Sequence, residues 1–103
     1  MLFFLDIHLN VKALDMTLDE LWEIWAKEAE AAAEAKEAGL VAGLYKVAGQ
    51  RRVLAILDLE SHDQLDQILM AGLPMAHLLD VREVVPVRPY ESFAEDVKKK
   101  FAN

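Results

Sequence analysis

The chain has 103 residues, enough for one domain with a buried core, and no cysteine, which excludes a disulfide framework and thiolate chemistry. Its formal charge of −7 argues against nucleic acid, because phosphate binding needs a basic footprint. The opening "MLFFLDIHLNVK" lacks the basic leader of a signal peptide, and no run approaches the roughly 18 apolar residues of a membrane span, so a cytoplasmic protein with no membrane or nucleic-acid partner is expected.

"LFFLDIHLNV" reads as a first strand. Phe3, Leu5, Ile7, Leu9 and Val11 share one face at period two, and Leu2, Phe4, Asp6, His8 and Asn10 the other. "TLDE" at Thr17–Glu20 is a capping box that opens a long helix, and Gly39 is its natural stop. Leu18, Trp22, Trp25, Ala29 and Ala32 form the expected buried stripe. Two strands follow, Leu40–Ala48 and Arg51–Leu59, joined by Gly49-Gln50 as a two-residue hairpin loop. A second capping box, "SHDQ" at Ser61–Gln64, starts a helix that runs to Met70 or Ala71 with Leu65, Ile68 and Leu69 inward, and Gly72 and Pro74 end it. "LLDVREVVPV" is the last strand, with Pro86 marking an edge or a bulge. "SFAE" at Ser92–Glu95 reads as a third capping box, opening a tail helix over about residues 91–102.

The order β-α-β-β-α-β plus a terminal helix is that of the α+β ferredoxin-like plait, a single domain over 1–103. Two helices cover one face of a four-stranded antiparallel sheet. The other face is left open, and in so short a chain its expected cover is a second copy, giving a homo-oligomer.

With these elements in place, the sequence resembles the muconolactone delta-isomerase family. The resemblance rests on "MLF" at the start, Gly39 after the long helix, "LYKVAGQ", "AILDLESHDQLDQIL" and "LP" followed by "LDV", and it runs along about Met1 to Pro89. It implies a subunit of the dimeric α+β barrel type in a larger ring, a decamer by likeness to the family, with pockets between subunits. It also implies an enzyme of aromatic catabolism that shifts a double bond in a small unsaturated lactone acid by proton transfer, with no metal or organic cofactor. The chain departs from the family pattern in reading "LPMAHLLD" where an aromatic-Pro-Tyr run is usual, in carrying Asp6 where a basic residue is usual, and in adding a tail helix. The first two fall on expected pocket positions and leave the substrate's substituents open.

Such chemistry needs a base, a group to stabilise the dienolate and a cation to anchor the substrate carboxylate. Glu28 is the candidate base. Relative to Leu18 it is the one glutamate of the long helix that falls on an apolar flank, among Leu21, Ile24, Ala31, Ala32 and Ala35. Its alternative role is an ion pair across a subunit contact. His8, two residues from Asp6 on one strand face, is the second candidate base. Lys46 and Arg52, either side of the hairpin turn, are candidates to hold the carboxylate, or else pair with acids of a neighbouring subunit. Phe4 and Asp6, on the His8 face, and His77, in the connection after "LPMA", complete the expected substrate-binding set. Two alternatives stay open at this point: a non-catalytic oligomeric ligand-binding module, and a dehalogenase or monooxygenase of the same fold.

Overall fold

The computed structural model describes residues 1–10 and 15–101. Its elements are β1 (Leu2–Leu9), α1 (Leu18–Glu37), β2 (Val41–Lys46), β3 (Arg52–Asp58), α2 (His62–Gln67), β4 (Leu79–Val87) and α3 (Tyr90–Phe101). The sheet order is β2-β3-β1-β4, antiparallel throughout, which is the expected ferredoxin-like plait. Val11, assigned from the sequence to the first strand, lies outside the described residues, as does the end of the tail beyond 101.

Register sorts the side chains. Phe3, Leu5 and Ile7 of β1 pair with Leu57, Ala55 and Val53 of β3 and face the helices. Phe3, Leu5, Ile7, Ala55, Leu57 and Leu59 form the main core, against which Leu65, Ile68 and Leu69 pack. Leu2, Phe4, Asp6 and His8 pair with Asp58, Ile56, Leu54 and Arg52 and share the opposite, open face. Pro86 falls in β4, an edge strand, where its missing N–H costs least. The β1–β4 register shifts at Asp6/Ile7, a bulge beside the charged part of that face.

Two caps form as the sequence predicts, with a change of partner. Thr17 Oγ1 accepts from the Glu20 amide (3.2 Å), while the Glu20 carboxylate takes the Thr17 hydroxyl rather than a backbone N–H. Ser61 Oγ accepts from the Gln64 amide (3.1 Å), and the Gln64 side chain accepts from the Glu60 amide. The third cap is corrected: α3 begins at Tyr90, so Ser92 and Glu95 lie inside the helix. The hairpin is also wider than two residues. Val47 donates to the Arg52 carbonyl and Gln50 to the Val47 carbonyl, so Ala48-Gly49 is the centre of the turn and Gly49 takes φ 78°. After α2 the chain continues as a π-helical turn over Ile68–Gly72, which carries it to the end expected from Gly72.

The α1 helix is turned relative to the expected stripe. Leu18 and Trp22 are more than half exposed, whereas Leu21 is buried with Met75 and Leu78, and Ile24 and Trp25 pack against them. That second cluster pins the N-terminal half of α1. Its C-terminal half presents Ala31, Ala32 and Ala35 inward, and alanine is too short to reach the sheet. A cavity remains between them.

Candidate active site

The cavity has a volume of about 870 Å³ and lies between α1 and the helix-side face of β2 and β3. Trp22 and Trp25 wall one end, and Leu57, Leu59, Ile68 and Leu69 form its far side. Glu28, Glu34, Tyr45 and Lys46 are its only polar lining residues among those described.

Glu28 stands two helical turns after the buried Leu21, so the two lie within about 20° of each other around the axis. The turned helix therefore brings Glu28 to the middle of the inward face, not to its flank. Its Oε2 is buried without a hydrogen-bond partner. Burial pushes the carboxyl above its ordinary range, and a hydrogen bond from the Met75 backbone works in the opposite direction. A carboxylate so placed is a stronger base than one in water, and a neutral carboxyl there is a proton donor.

Lys46 lies on the same side of the sheet, opposite Val53 in the register. Its Nζ donates to the Val47 carbonyl (2.9 Å) and sits 6.0 Å from the centre of the Trp25 ring. The β2 strand runs back along α1, so Lys46 meets the tryptophan end of the cavity and Val41 meets the Ala35–Ala38 end.

The other candidates are elsewhere. Asp6, His8, Arg52 and Phe4 share the open face, with the sheet between them and Glu28. Arg52 Nε and Nη2 donate to the two oxygens of Asp6, both at 2.8 Å, and the Asp6 side chain is only 13% exposed. That bidentate bond, more than any other contact, holds the Asp6 carboxyl below the usual carboxylate range. His8 Nε2 is 3.4 Å from Asp6 Oδ1. The Arg52 guanidinium therefore already has a carboxylate. His77 is exposed on the single 3-10 turn of Ala76–Leu78. The structure thus puts Glu28 and Lys46 on the lining of one cavity and separates both from the Asp6–Arg52–His8 group.

Sequence reasoning missed Met75, buried under the cavity and touching Glu28 through its backbone, because an isolated methionine in a connection carries no local signal. It read Trp22 and Trp25 as core; Trp25 does pack against the second cluster, whereas Trp22 is more than half exposed, and both line the cavity. The approach of Lys46 to the Trp25 ring is a contact between residues far apart in sequence.

The model of the muconolactone delta-isomerase family matches residues 1–93. The chain belongs to this family. A crystal structure of muconolactone isomerase superposes with a TM-score of 0.67 at 26% identity, covering 86% of this chain and 90% of that one. No curated protein matches by sequence. Family and structural likeness together support an isomerase-like function. As a delta-isomerase family member the chain keeps the plait of the fold and extends past the matched region in most of α3. No helix among the described residues is long and apolar enough to cross a membrane.

The open-face ion pair leads to a prediction about stability. Because the folded-state pKa of Asp6 is depressed, its contribution is fully present above the unfolded value and is lost as pH falls through the folded one. Thermal melts across the acid range should show Asp6→Asn losing most stability at neutral pH and converging on the parent at low pH. An equal loss at every pH would sink the assignment.

Proposed function

We propose that the protein is a cofactor-free isomerase that moves a carbon–carbon double bond in a small unsaturated lactone acid. Glu28 takes a proton from the carbon next to the double bond and returns it farther along the conjugated system. Its C–H bond breaks as the carboxylate becomes a carboxyl, the electron pair delocalises as a dienolate, and the same proton forms the new C–H bond. One group can serve both steps because the apolar walls keep water from exchanging the proton. The Lys46 ammonium, at the cavity's tryptophan end, anchors the substrate carboxylate in this reading. The observation that carries this reading is the buried, unpartnered Glu28 Oε2 on a largely apolar wall.

The direct test is the absorbance change on adding muconolactone or substituted muconolactones to the purified protein. Turnover supports the reading. A flat trace with every lactone would favour a ligand-binding module instead. Lys46→Ala should raise KM about 10-fold or more with a smaller change in kcat, the scale of one lost charge-assisted hydrogen bond. Arg52→Ala, by contrast, should act through stability by removing the bidentate partner of Asp6. An unchanged KM in Lys46→Ala would remove lysine from the site.

We also propose that copies of the chain meet through the open face of the sheet, where Val85 and Val87 are each 39% exposed beside Phe4 and Ile56. Light scattering at micromolar concentration should show at least a dimer, and a clean monomer would overturn the contact.

A further inference from the structure

The cavity is much larger than the reaction alone requires. Its volume of about 870 Å³ lies near the upper end of the range that drug-sized ligands occupy. A bare six-carbon lactone acid, with about ten non-hydrogen atoms, is a fragment on that scale. It would reach Lys46 and Glu28 and leave the rest of the cavity to water.

The unfilled part has a definite place and chemistry. Lys46 and Trp25 mark one end, and Glu28 lies beyond them along α1. Farther on, the α1 wall is Ala32 and Ala35, which face Val41, Leu57 and Ile68. No polar group among the described residues lines that stretch except Glu34, which is exposed. The alanines hold the space open because their side chains end at Cβ, and α1 cannot close onto the sheet. Its start is pinned by Leu21 on Met75 and Leu78. Its end is pinned by the Leu40 amide bonded to the Ala35 carbonyl and the Asp58 amide bonded to the Leu40 carbonyl. Water against such a wall has few partners, so an apolar group that displaces it gains free energy.

We propose that the ligand of this cavity is an unsaturated acid with an apolar substituent, an alkyl chain or an aryl ring, at the end remote from its carboxylate, lying against Ala32, Ala35, Val41 and Leu57. The inference rests on the isomerase reading for the position of the acid head and deepens it by naming the class of substrate. The head meets Lys46, the reacting carbons pass Glu28, and the tail fills the alanine-walled end. Binding energy from the tail then holds the reacting carbons against the Glu28 carboxylate.

Trp22 and Trp25 are the only tryptophans of the chain, and both line the cavity, so intrinsic fluorescence reports its occupancy directly. The probes are 3-alkenoic acids of increasing chain length, titrated into the whole protein, with migration of the double bond to the 2-position followed by NMR on the same samples. Affinity should rise about fourfold for each added methylene until the cavity is filled. Ala32→Phe and, separately, Ala35→Leu should abolish most of that rise, with circular dichroism confirming that each variant is folded. Affinity independent of chain length, or a rise unaltered in both folded variants, overturns the inference, even where muconolactone is turned over. A length-dependent rise lost in the variants, with no double-bond migration and no turnover of any lactone, upholds the apolar-tailed ligand and overturns the isomerase reading.

Discussion

Glu28→Gln is expected to lower turnover by about 10²-fold or more, the usual scale for losing a general base, with the fold and assembly intact. Glutamine keeps the shape of the side chain and can occupy the same space beside Met75, but it cannot accept the substrate proton. The parent's kcat/KM should rise with pH as Glu28 ionises, and the midpoint should lie above the ordinary carboxylate range, because burial raises its pKa. The stability effect has the opposite sign from that at Asp6. A carboxyl whose folded pKa is raised binds more protons folded than unfolded, so it loses stability as pH rises from the unfolded value through the folded one. Above that window Glu28→Gln should therefore melt no lower than the parent, and higher if the burial is retained. Loss of activity with gain of stability is a combination that a merely structural residue would not give. Near-normal turnover in Glu28→Gln would move the base to His8 on the open face.

Leu5→Ala is expected to cost about 2–5 kcal/mol, the range for a leucine fully buried in a core. Leu5 has no exposed surface, and it sits at the centre of β1, between Ala55 on β3 and Val84 on β4. The truncation leaves a void that the strands cannot close without losing register. Small domains hold only about 5–15 kcal/mol in total, so this single change removes a large share. Urea titration should show a lower midpoint with an unchanged slope. A loss under about 1 kcal/mol would mean that the surrounding side chains collapse into the space, contrary to the packing described. Leu5 holds the sheet that supports the cavity, and Glu28 lies on the cavity's lining.

What the sequence by itself determined were features set by neighbours in the chain. Period-two alternation marked β1, the Thr17 and Ser61 caps marked two helix starts, and Gly39 and Gly72 marked two ends, since each depends on residues within a turn or two of one another. The family was legible for the same reason, in short quoted runs. Glu28 stood out because it lacks the polar company of the other glutamates of α1. Tertiary structure alone decided the rest. The alanine-rich helix could bury the Leu18–Trp22 side or the Leu21–Glu28 side at similar cost, and Met75 and Leu78, more than forty residues later, selected the second. The same choice exposed Trp22 at the cavity wall and brought Glu28 to the centre of the inward face. Arg52, read as an anion anchor, found Asp6 across the β1–β3 ladder, a partner that only strand register supplies. Side-chain chemistry is local, but which groups meet, and whether they meet in water or away from it, depends on contacts between distant parts of the chain, and those contacts placed the acid in the cavity and the Arg52–Asp6 pair on the other side of the sheet.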